Sequence, residues 1–115
     1  MSDASMNMKA RLRADLTVAL KARDAVATRA IRSLVAALDN AEAPPSVPGG
    51  GAPAAFGSGE AEIERLRLDA EQVRAVVAAE AGEREHAAAE LDRVGRGEAA
   101  AALRAEMAVV RLYLD

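Results

Sequence analysis

Three observations predict an all-α fold, built as two antiparallel helical hairpins (four helices) joined by a Pro/Gly-rich linker. Hydrophobic residues make up 51% of the 115, yet Phe56 and Tyr113 are the only aromatics, so alanine and aliphatic side chains must form the core. That composition favours closely approaching helices over a sheet, because alanine is the best helix former and sheet-forming residue types are scarce. Apolar residues recur at three- and four-residue spacing in four segments. All four prolines and five of the eight glycines fall within 43–59 and divide those segments into two pairs. The length suits one domain, here residues 8–115, able to bury about two-thirds of its unfolded surface.

Residues 1–7, MSDASMN, are small and polar and read as a disordered lead-in. The first helix is placed at Met8 to Ala22, with Leu12, Leu16, Ala19 and Leu20 along one face. Lys21, Arg23 and Asp24 mark a turn so short that the next helix must run back antiparallel, which makes 8–41 a hairpin. Asp24 is placed to cap the second helix, Ala25 to Ala41, whose stripe is Ala27, Ile31, Leu34, Val35, Leu38 and Ala41. Between Ala43 and Gly59, proline removes backbone donors and glycine raises chain entropy, so 43–68 is expected to be a flexible linker. Phe56 reads as a loop residue tucked against a helix seam, with an exposed docking residue as the alternative. Ile63, Leu66 and Leu68 form either a helical turn or an extended approach to the third helix.

The third helix has the best-specified start. Asp69 can cap it, Gln72 occupies the reciprocal capping-box position, and Leu68 and Val73 have the spacing of a hydrophobic staple. It should run to Val94, where Gly95 supplies the left-handed residue that ends a helix. The fourth helix, Glu98 to Leu114, carries Leu103, Met107, Val110 and Leu114 as its seam and completes the hairpin 69–114. The third helix would be ~37 Å long and the fourth ~25 Å, so the start of the third overhangs. Val73, Val76 and Val77 in that overhang need a cover, either the first hairpin or a partner. With Arg32 and Asn40 on the second helix, they make up the candidate interaction surface. Gly82 interrupts the third helix at about 1 kcal/mol relative to alanine, which a close helix crossing or a bend would explain.

Two opposite charges lie inside the third helix's apolar stripe. Glu80 and Arg84 fall within roughly 20° of the direction of Val73. On the fourth helix Glu106 likewise sits within the seam of Leu103 and Val110. Arg84 lies twelve residues before Arg96 and Glu106 ten after it, so an antiparallel hairpin sets them nearly level. A Glu80, Arg84, Glu106 network is therefore expected, the planar guanidinium donating to both carboxylates. One reading is a device that fixes register between alanine-rich helices; the other is a site for an anionic or amide substrate. Arg84 occupies the place a cation would take, and no His or Cys shares that face, so neither metal nor cofactor is expected and no catalytic residue is assigned. His86, the one histidine, points away from the stripe and is expected on the surface. Asp92 with Arg96 and Glu90 with Arg93 have the spacing of surface pairs. PGGGAP lacks the lysine and following helix of a phosphate loop.

Net charge is −3, with residues 1–43 slightly basic and the rest acidic. No clustered basic face marks a DNA partner. Absence of cysteine excludes disulfide and thiol chemistry. No apolar run approaches a membrane span, and the first residues lack the charged and apolar regions of a signal peptide, so a cytoplasmic location and no membrane partner are expected.

The segment RLRADLTVALKARDAVATRAIRSLVAALDNAE, with Ala19, Leu20 and Lys21, an acidic turn at Asp24, Ile31 with Arg32, and Asn40, resembles the YqeY family of GatB/YqeY domain proteins in its first, all-helical part. The similarity resumes from Gln72 to Arg84 and at VGR, and closes at AEMAVVRLYL, where Glu106, Tyr113 and Leu114 fit the family's last helix. The resemblance implies an association with tRNA-dependent amidation, a carbon–nitrogen ligation with glutamine as amide donor. In the family, Tyr-Leu is followed by proline and a second helical domain similar to the tRNA-holding tail of GatB. Here Asp115 follows, and that GatB-tail-like domain is expected to be lacking, which weakens the case for tRNA as a partner.

Nothing in the chain looks like an amidase nucleophile or a nucleotide site. The expected function is a small non-catalytic helical accessory or interaction module, with a protein partner or self-association. An enzyme component using Glu80, Arg84 and Glu106, and a homo-oligomerisation module using the overhang, are the alternatives. Any ligase assignment is expected to be inherited by similarity and not to be a stand-alone activity.

Overall fold

The computed structural model describes residues 3–44 and 67–114. Among these residues there are four helices and no strand: α1 (Ala4–Ala22), α2 (Ala25–Glu42), α3 (Ala70–Arg93) and α4 (Gly97–Arg111). The linker reading for 43–68, including Phe56, Ile63 and Leu66, lies mostly outside the described residues. Within it, Ala43 ends α2 with an extended backbone and Leu68 is buried.

α1 starts at Ala4, not Met8, so part of the stretch expected to be a disordered lead-in is helical. The reason is tertiary. Ser5 is buried and its hydroxyl donates to Glu42 at the end of α2, while Lys9 Nζ bridges Glu42 Oε1 (2.6 Å) and Asp39 Oδ1 (3.0 Å). These contacts hold a first turn that has no side-chain cap of its own. They also set α1 and α2 antiparallel. The seam of α1 is correspondingly shifted, with Ser5, Leu12 and Ala19 buried and Leu20 half exposed at 48%.

Each reversal is locally encoded. The backbone N–H groups of Arg23 and Asp24 return to Leu20 and Ala19, which places Arg23 at φ 59°, and Asp24 Oδ1 then accepts the Ala27 N–H of α2. At the start of α3, Asp69 and Gln72 exchange side-chain-to-backbone bonds of 2.8 and 2.9 Å, a complete capping box. After α3, Gly95 takes φ 80° and Arg96 N–H returns to Leu91, a conformation that suits a residue without Cβ.

α2 is the centre of the arrangement, packing against α1, α3 and α4. One core draws on all four helices: Leu12 and Ala19 from α1, Ala30, Ile31, Leu34 and Leu38 from α2, Val73, Val77 and Ala81 from α3, and Val110 from α4, closed by Leu68 and Tyr113. Val73 and Val77 are thus covered by the first hairpin and are not a surface. That corrects the candidate interaction surface, whose remaining apolar member, Val76, also packs on this core. Removing them from water stabilises the fold by about 1.5–3 kcal/mol per side chain. Arg32 and Asn40 are exposed. No helix among the described residues is long and apolar enough to cross a membrane.

Candidate functional site

The charged middle of α3 faces the junction of α2 and α4. Arg84 Nη1 donates to Glu80 Oε1 at 3.0 Å and to the Glu80 carbonyl at 3.1 Å, and Arg84 Nε donates to Glu106 Oε1 at 3.3 Å. The structure therefore brings Glu80, Arg84 and Glu106 together. Two residues of α2 complete the group: Ser33 Oγ donates to Glu80 Oε1 (3.1 Å), and Arg29 Nε donates to Glu106 Oε2 (3.0 Å). Side-chain exposures of 12, 17 and 13% for Arg84, Glu80 and Glu106 place the network beneath the surface, with Arg29 as its 58% exposed lid.

Arg29 and Ser33 escape the sequence reading because they lie off the apolar stripe of α2. A signal for them exists. Ala30, Ser33, Ala37 and Ala41 repeat at helical spacing as a line of small residues flanking the stripe, and all four are buried or partly buried. That line lets a third and fourth helix approach the flank of α2.

A second polar group, also missed, is the Ser5, Lys9, Asp39 and Glu42 cluster. Two acids in the last turn of α2 oppose the helix dipole, and that is the sequence signal that a cation is needed there. Hydrogen bonding to Glu42 raises the Lys9 pKa from its usual 10.5, against the opposing effect of burial. The third group gathers at the end of the chain. Tyr113 is buried, its hydroxyl donates to Asp15 Oδ2 at 2.5 Å, and the Arg11 guanidinium lies 4.5 Å over its ring while donating to the Leu112 carbonyl at 3.3 Å. Burial, then the bond to Asp15, raises the Tyr113 pKa above its usual 10.0.

The surface pairs differ in part from expectation. Glu90 pairs with Arg93, but Asp92 takes Arg104 (2.7 Å) instead of Arg96, and Arg104 also holds Glu85 (3.2 Å). Arg104 wins because it projects from the facing helix. His86 is exposed.

Among the described residues, no three His, Cys, Asp or Glu side chains gather as a metal site, and no buried side-chain polar atom lacks a partner. Among the described residues, shallow grooves flank the bundle. One of about 370 Å³ lies between Met8, Arg11, Val73, Arg74 and Tyr113; one of about 310 Å³ sits at the α1–α2 turn by Leu20, Arg23 and Arg29; and one of about 400 Å³ runs between α3 and α4 over Ala78, Gly82, Glu85, Met107 and Arg111. Arg84 lines none of them. No family model, curated protein or solved structure matches the chain.

Proposed function

We propose that this protein is a small non-catalytic helical accessory module of the GatB/YqeY type, working in the cytoplasm beside tRNA-dependent amidation by binding a protein of that machinery. The observation that carries the non-catalytic part is the closure of the charged network. Arg84 gives Nε to Glu106 and Nη1 to Glu80, and Ser33 and Arg29 occupy further lone pairs of the same carboxylates. A substrate-binding arginine needs an open face in a concave site, and this one is enclosed. The amidation context rests on the resemblance of Ala19 to Lys21, Asp24, Arg32, Asn40, Glu106 and Tyr113 to that family.

The test is a pull-down from cell extract with the tagged chain, with and without nuclease, read for amidotransferase subunits and for tRNA. Recovery of amidotransferase subunits that survives nuclease supports the reading. Their absence, with the chain recovered free under gentle conditions, overturns it.

A further inference from the structure

The outer face of α3 carries a pattern that the bundle itself does not use. Glu71, Ala75, Gly82, Ala89 and Arg93 lie eleven and seven residues before, at, and seven and eleven residues after Gly82, all within roughly 20° of one direction on the helix. That direction lies roughly 100–180° from the buried Val73, Val77, Ala81 and Ala88, and all five residues are exposed. Ala78, Ala79 and His86 flank the line and are exposed too.

Gly82 is the key residue. A Cβ built there meets nothing within 4 Å, so no neighbour inside the chain requires a glycine. A mid-helix glycine costs about 1 kcal/mol relative to alanine, and its structural use is to let another backbone come close. The charges at the two ends of the line state which backbone. A second copy of α3 laid parallel would set Glu71 on Glu71 and Arg93 on Arg93. Laid antiparallel about Gly82, it sets Glu71 on Arg93 at both ends, Ala75 on Ala89, and glycine on glycine.

We infer that α3 is the two-fold interface of a homodimer, in which two copies cross antiparallel at Gly82 with Glu71 of each facing Arg93 of the other. Spacings of four and seven about the crossing match helices packed at a shallow angle. The same placement runs Glu85 of the second copy, held by Arg104 of its own chain, along the groove between α3 and α4 and past Arg111. Arg93 exchanges little to join, since its present bond to Glu90 lies on the surface with the side chain 71% exposed. The strip is narrow beside the roughly 800 Å² per partner of a standard interface, so the dimer is weak and its charged ends make it salt-sensitive.

The experiment is sedimentation equilibrium of the full chain from micromolar to millimolar concentration, at low and high salt, for wild type, Glu71→Arg, Arg93→Glu, their equimolar mixture, and the double variant. Wild type should dimerise, each single reversal should weaken association about tenfold or more, and both the mixture and the double variant should regain it. Gly82→Leu is the control for folding: leucine favours the helix yet blocks the crossing, so this variant should be helical by circular dichroism and monomeric. A wild-type monomer throughout the range overturns the proposal. So does association that neither Gly82→Leu nor the charge reversals change, or folded single variants that stay apart when mixed.

Discussion

Arg84 Nε reaches Glu106 Oε1 at 3.3 Å across the α3–α4 hairpin, twenty-two residues along the chain. This contact fixes the register of two alanine-rich helices that would otherwise slide. Such a pair need not add net stability, because desolvation offsets attraction, yet an isolated partner left behind is costly.

Arg84→Ala therefore leaves Glu80 with Ser33 and Glu106 with the exposed Arg29, and no cation between the two carboxylates. It should lower stability by about 2–3 kcal/mol, whereas Arg96→Ala, at an exposed residue in no ion pair among the described residues, should stay within about 0.5 kcal/mol. Urea unfolding followed by helical circular dichroism checks both. An unchanged midpoint and slope for Arg84→Ala would show that the guanidinium is not enclosed.

Gly82→Ala should stabilise the monomer by up to about 1 kcal/mol, because the new methyl meets no neighbour and alanine is the better helix former. The measurement is the urea midpoint at a concentration low enough to keep the chain monomeric. A loss of stability would mean that the site is crowded within the chain itself.

Removing residues 1–7 deletes Ser5 and the first turn of α1, which Glu42 holds in place through Ser5. The truncated chain should lose about 1–3 kcal/mol, through Ser5's buried hydrogen bond and the unravelling of the turn above Lys9. Thermal unfolding of the two lengths tests this, and equal midpoints would return that segment to the status of a loose lead-in.

Tyr113 gives the fold an alkaline limit. Its folded pKa is raised, chiefly by burial, above the usual 10.0, and that of Lys9 is raised above 10.5 by Glu42. A raised value means that the contribution is complete below the unfolded pKa and is lost as pH rises through the folded one. Urea midpoints should stay level from neutral pH to about 9.5 and fall beyond about 10. Tyr113→Phe should cost about 1 kcal/mol at neutral pH and flatten part of that fall. Tyr113 is the only tyrosine, so phenolate absorbance reads it alone. Titration at the ordinary value in the folded protein would refute the burial argument.

By itself, the sequence determined the four helices, the caps at Asp24 and Asp69, the left-handed Gly95 and the Glu80, Arg84, Glu106 grouping. Each depends on residues a turn apart on one helix, or on a hairpin short enough for counting from its turn to fix the register. Tertiary structure alone decided the rest. The early start of α1, the burial of Val73 and Val77, and the entry of Arg29 and Ser33 into the charged network all depend on how one hairpin sits on the other. Ser5 and Glu42 are thirty-seven residues apart, Arg29 and Glu106 seventy-seven. Helical periodicity carries no information across such a gap, because it records which face of a helix is apolar and not which helix covers it.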